Sequence, residues 1–117
     1  MCSVRGYVGL AALAAGLALA PASALAASAE NGKTLFVKNG CWQCHGTVGQ
    51  GSAITGPKLA PEPLPLEAFK SFLRNSNRAM PPYREEILSN ADVDDIHAYL
   101  SSIPKPVDYK TIPLLNQ

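Results

Sequence analysis

Apolar positions in this chain fall into one unbroken run near the N-terminus and three shorter helical stretches further on. Val8 to Ala20 is the unbroken run, and Pro21 ends it. The first helical stretch extends from about Ala29 to Lys38, with Leu35 and Phe36 apolar and Asn39-Gly40 placed to cap its C-terminus. In the second, Pro65 to about Asn75, Leu66, Phe69 and Leu73 recur at steps of three and four and make one stripe. The third has the fullest signature. Ser89 with Asp92 forms a capping-box pattern, Val93, Ile96, Leu100 and Ile103 share a face, and Pro104 stops the helix. No segment alternates with period two and no repeat is visible. Gly46 to Pro63 is glycine-rich, then proline-rich, and reads as loop. The pattern therefore predicts an all-α domain with three main helices and long Pro/Gly-rich connections. Beyond Pro104, the tail is expected to run extended over the surface, carrying the apolar group Ile112, Leu114 and Leu115.

The N-terminal run changes how the rest is counted. A short region with one positive charge, Arg5, precedes it, and two small-x-small sites follow, Ala24-Leu25-Ala26 and Ala27-Ser28-Ala29. That order is the pattern of an export signal, with cleavage after Ala26 or Ala29. The expected organisation is a signal at 1–26, one domain at 27–104 and a tail at 105–117. If the signal were retained it would anchor the chain to a membrane, but it is short for a span and Pro21 interrupts it. Ten Lys+Arg stand against nine Asp+Glu. Arg5 leaves with the signal, so the mature chain is balanced and offers no basic surface for nucleic acid. What remains is a small domain with few aromatic residues. Domains of this size commonly need a covalent or metal staple to complete the core.

Cleavage also removes Met1 and Cys2, leaving two cysteines, one methionine and two histidines. Cys41-Trp42-Gln43-Cys44-His45 has the C-x-x-C-H spacing of haem c attachment. On a helical turn, two thiols three positions apart can each form a thioether with one porphyrin vinyl group. The adjacent imidazole then lies beneath the ring and can bind the iron. Other uses of the pair fit less well. A thioredoxin-like redox pair wants a βαβ setting, which is absent. A structural zinc site wants four ligands, and only the distant His97 could complete Cys41, Cys44 and His45. A plain disulfide has no need of His45. Elimination then points to Met80 as the second axial ligand, since it is the one methionine left and Pro81 and Pro82 stiffen its loop. A thioether is a soft iron ligand that raises the reduction potential relative to a second histidine. His97 sits beside Asp94 and Asp95, off the apolar stripe, and reads as a solvated side chain. Trp42 and Tyr83 read as packing residues near the cofactor.

Taken together, these residues resemble class I cytochromes c over nearly all of the mature chain. The resemblance implies that family's all-α fold around one covalently bound haem c. It also implies a close crossing of the first and last helices, where Gly32 and Phe36 match the family's glycine–aromatic pair and Tyr99 and Leu100 its aromatic–leucine pair. Gly56-Pro57-Lys58-Leu59 matches the family's Gly-Pro-x-Leu segment. By that likeness the Pro57 carbonyl accepts the His45 N–H, and Leu59 packs on the ring. Arg78-Ala79-Met80-Pro81 and Tyr99-Leu100-Ser101-Ser102-Ile103-Pro104 look like the small cytochrome subunits of periplasmic flavin or quinoprotein dehydrogenases.

The resemblance implies an exported electron carrier of the bacterial periplasm and not an enzyme. Electrons would come from a dehydrogenase and pass to an oxidase or another cytochrome of a respiratory chain. Two alternatives stand beside it. One is an obligate cytochrome subunit of a dehydrogenase complex. The other is a haem peroxidase or sensor, which needs an open sixth position and is opposed by Met80.

Overall fold

The computed structural model describes residues 26–116 of the chain. Apart from Ala26, the predicted export signal lies outside the described residues. Four α-helices follow in order: α1 (Ala29–Lys38), α2 (Trp42–His45), α3 (Leu66–Asn75) and α4 (Asn90–Ser102). Two single 3₁₀ turns close the chain, at Tyr109–Thr111 and Pro113–Leu115. Among the described residues there is no strand, and no helix is long and apolar enough to cross a membrane.

Each helix starts and stops on the chemistry that its sequence carries. Ser28 caps α1, its hydroxyl accepting from Asn31 N–H, and Asn39 closes the other end. Gly40 then takes φ 74°, so the chain turns directly into Cys41. In α4 the capping box is complete: the Ser89 hydroxyl accepts from Asp92 N–H at 3.1 Å, and the Asp92 carboxylate accepts from Ser89 N–H at 3.0 Å. Pro65 begins α3, and Phe69 and Leu73 of its predicted stripe are buried. Gly46 to Pro63 contains no helix, as expected.

The core lies between α1 and α4, with α3 and the segment before α4 laid against it. Phe36, Val93 and Leu100 are fully buried, and Phe36 meets Tyr99 with ring centroids 5.7 Å apart. Burial of each large apolar side chain stabilises the fold by roughly 1.5–3 kcal/mol. The helices approach closely at Gly32. A Cβ there would overlap the Asp95 carbonyl and lie 2.9 Å from Ile96 N, so only glycine admits this packing. Leu88 and Ala60 complete the core from loops, where no periodic pattern could mark them.

Two expectations are revised. His97 is not simply solvated: its Nε2 lies 2.9 Å from the Leu64 carbonyl, and its ring meets the edge of Phe69. It ties α4 to the loop that leads into α3. The tail is not extended throughout. The Asn116 amide donates to the carbonyls of Tyr109, Lys110 and Ile112 and folds the end into a small knot, with Leu114 and Leu115 exposed. Lys105, at the tail's root, pairs with Glu62 at 2.6 Å.

Candidate functional site

Between α2, the Gly56–Leu64 loop, α3 and the Met80 loop lies a predominantly apolar cavity of about 680 Å³. That volume suits a cofactor, for which sites of roughly 300–1,000 Å³ are usual. All six residues singled out from the sequence line it: Cys41, Cys44, His45, Pro57, Leu59 and Met80. Trp42 does not. It stands on the outside of α2, 42% exposed. Tyr83 does line the cavity.

The one-turn helix α2 explains why a five-residue motif can act as a unit. Cys41 precedes it, and His45 N–H donates to the Cys41 carbonyl at 3.0 Å, closing the turn. Cys41 is half-buried and Cys44 exposed, and the two are not joined in a disulfide. Burial pushes the Cys41 thiol above its ordinary pKa, so it is held as the neutral thiol and not as an anion. His45 is buried, and its Nδ1 lies 2.8 Å from the Pro57 carbonyl oxygen. A carbonyl can only accept, so Nδ1 carries the proton and Nε2 keeps its lone pair for a metal.

The loop that supplies Pro57 is anchored to the same turn. The Thr55 hydroxyl donates to the Cys44 carbonyl at 2.8 Å, and Gly51 N–H donates to the His45 carbonyl at 2.8 Å. A Cβ at Gly56 would stand 2.8 Å from the Cys44 carbonyl oxygen and 3.1 Å from His45 Nδ1. Glycine lets the loop pass over the attachment turn, and the carbonyl after it then reaches the imidazole. Leu59 is half-buried and follows on the cavity wall.

Met80 sits half-buried on a separate loop. Sequence reasoning found the methionine but not what holds it. The hydroxyl of Ser76, itself buried, donates to the Met80 carbonyl at 2.7 Å. Beyond the prolines, Tyr83 N–H donates to the Leu73 carbonyl and the Tyr83 hydroxyl to the Asn39 carbonyl. Arg74 spans the base of the same loop, donating to the Tyr83 carbonyl and to the Asn90 side chain. Burial raises the Tyr83 phenol's pKa and keeps it neutral. These contacts join the Met80 loop to α1, α3 and the start of α4. No sequence signal marked Ser76 or Arg74, whose partners are set by the fold.

The donor set fits a haem. Two thiols, one imidazole with a free Nε2 and one thioether share a largely apolar cavity, a combination that suits a macrocycle with an iron centre. A zinc reading lacks ligands: among the described residues, no group of three or more His, Cys, Asp or Glu side chains converges.

Comparison with known proteins agrees with this chemistry. A family model described as "Cytochrome C oxidase, cbb3-type, subunit III" matches residues 27–100. Cytochrome c-555 of Methylococcus capsulatus is 31% identical over 94 residues, covering 78% of this chain and 76% of that protein. The cytochrome c subunit of 4-cresol dehydrogenase (hydroxylating) of Pseudomonas putida is 34% identical over 76 residues. That match covers 65% of this chain and 63% of the subunit, a little under two thirds of its length. No solved structure matches the chain.

Proposed function

The chain belongs to the c-type cytochrome family matched over residues 27–100, whose members transfer electrons through covalently bound haem c, and from that premise we propose the roles of its residues and the place where it works. Cys41 and Cys44 would hold the haem through thioethers. His45, with Nδ1 committed to Pro57, would offer Nε2 to the iron, and Met80 would offer its sulfur. Leu59 would form part of the apolar wall against the haem. The haem, when bound, supplies one-electron chemistry, its iron alternating between Fe(II) and Fe(III).

The rest of the mechanism belongs to the protein. Pro57 fixes the tautomer and plane of His45, so the ligand need not turn when the iron changes charge. Ser76, Pro81 and Pro82 hold the Met80 loop in one geometry, which keeps the reorganisation accompanying each electron small. The apolar lining excludes water from the redox centre. The observation that carries this reading is the 2.8 Å contact from His45 Nδ1 to the Pro57 carbonyl. It frees Nε2 in a cavity that two thiols and a thioether also line.

The chain is exported to the bacterial periplasm on its N-terminal signal and accepts electrons from a dehydrogenase there, passing them toward a respiratory chain. The relatives support this, being bacterial cytochromes, one of them named as a dehydrogenase subunit. A second reading, an obligate subunit of a dehydrogenase complex, is favoured by the tail, where Val107, Leu114 and Leu115 stay exposed. Purification from the native source separates a free carrier from a subunit.

Denaturing electrophoresis followed by acid–acetone extraction tests the attachment. Haem should remain on the wild-type chain, and replacing Cys41 and Cys44 together by Ser should abolish its retention. Free extraction from the wild type would overturn the assignment.

A further inference from the structure

We propose that the mature protein begins at Ala27, through cleavage after Ala26 and not after Ala29, because Ser28 is a working part of the folded domain; the proposal rests on the export reading above. A signal peptidase reads small residues at its recognition positions, and both small-x-small sites meet that requirement. The two products differ in what they keep.

Ser28 makes contacts in three directions. Its hydroxyl accepts from Asn31 N–H at 3.2 Å, capping α1. Its carbonyl accepts from Gly32 N–H at 2.9 Å, the first hydrogen bond of the helix. Its N–H donates to Asp95 Oδ1 at 2.6 Å, and the neighbouring Asn31 amide donates to Asp95 Oδ2 at 2.7 Å. Both oxygens of one carboxylate on α4 are therefore occupied by the entrance to α1. This clamp lies beside Gly32, whose backbone rests on the Asp95 carbonyl. It fastens the helix pair at its closest approach.

Cleavage after Ala29 would remove Ser28 and the whole of its side of the clamp. It would also place a new α-ammonium at the start of α1, where the helix dipole is already positive. Cleavage after Ala26 keeps Ser28 and sets the ammonium two residues before the helix. Ala27 there lines a small cavity with Ser28, Asn31, Asp94 and Asp95. Asp94 is already paired with Lys70 at 2.6 Å, whereas both Asp95 partners are neutral donors. The ammonium thus arrives beside a carboxylate that no cation has matched.

The test is intact-mass spectrometry of the full chain, expressed with haem-attachment machinery in a bacterial host and recovered from the periplasm. The expected mass is that of residues 27–117 plus one haem. An exported product starting at Glu30, or at any other residue, overturns this proposal alone. A full-length precursor left in the cytoplasm overturns the export reading as well. A second variant examines the physical reason. Deleting Ala27–Ala29 retains the Ala24-Leu25-Ala26 site and yields a chain starting at Glu30. It is expected to melt roughly 4–8 °C lower with its haem spectrum unchanged, as befits the loss of one cap. An unchanged melting temperature would show that Ser28 contributes nothing, and the reason for preferring Ala27 would be gone.

Discussion

Replacing Gly32 by Ala sets two physical effects of opposite sign against each other. In an exposed helix the change is favourable, because alanine restricts the unfolded chain and propagates helix better by about 1 kcal/mol. In this structure the new Cβ overlaps the Asp95 carbonyl of α4 and lies 2.9 Å from Ile96 N. Real Cβ atoms essentially never come within 3.0 Å of such neighbours. Both neighbours are backbone, so no rotamer change relieves the overlap and the helices must part. Overpacking of this kind costs typically 1–3 kcal/mol, and a backbone-on-backbone clash belongs at the upper end, about 3 kcal/mol. The net loss is then about 2 kcal/mol. For a domain of this size that corresponds to a fall in melting temperature of roughly 8–16 °C. Thermal unfolding of the holoprotein, followed by circular dichroism at 222 nm, measures it, with exposed Lys33→Ala as a control expected to change little. A G32A protein that melts at or above the wild-type temperature would refute the argument, since propensity alone predicts that sign. Parting α1 and α4 should also loosen Phe36 from Tyr99, so the variant should expose more apolar surface to a hydrophobic dye below its transition.

Three further outcomes follow from the site. Met80→Ala should remove the near-infrared sulfur-to-iron band of the oxidised protein and lower the reduction potential while the haem stays attached; survival of the band would mean that another group is the ligand. Ser76→Ala deletes the hydroxyl that holds the Met80 carbonyl at 2.7 Å, a loss of about 1 kcal/mol. Imidazole should then displace the sulfur roughly fivefold more readily, and an unchanged affinity would show that the prolines alone hold the loop. Lys105 holds the Glu62 carboxyl below its ordinary pKa of 4.5, mainly through their hydrogen bond. The pair's stabilisation is therefore present above that value and lost as pH falls through the lowered one. Amide protection in the 105–116 segment, taken relative to the intrinsic exchange rate at each pH, should fall across that window and also with added salt, and pH-independent protection would show that the pair does not anchor the tail.

Much of this protein is legible because its signals are local. Ser89 and Asp92 predict a capping box, and the structure has one, because both partners lie within a single turn. The cysteines and histidine of Cys41–His45 are likewise brought together by one helical turn, which any chain with that sequence could form. Met80 emerged by elimination, from the scarcity of soft ligands. The export pattern is local too, which is why it leaves two cleavage sites undecided.

Other features depend on segments far apart in sequence, and only the tertiary structure decides them. Gly32 has no local mark that separates a crossing point from a weak position in a helix; the carbonyl of Asp95 makes the difference. Ser76, Arg74 and Leu88 look like ordinary residues of a helix end or a loop until the Met80 loop folds over α3. His97 looked solvated because its helical neighbours are acidic, yet its partner, the Leu64 carbonyl, comes from the loop before α3. Periodicity and capping report interactions within about four residues, whereas a buried hydroxyl or a close helix crossing is fixed by whichever distant backbone the packed core brings beside it.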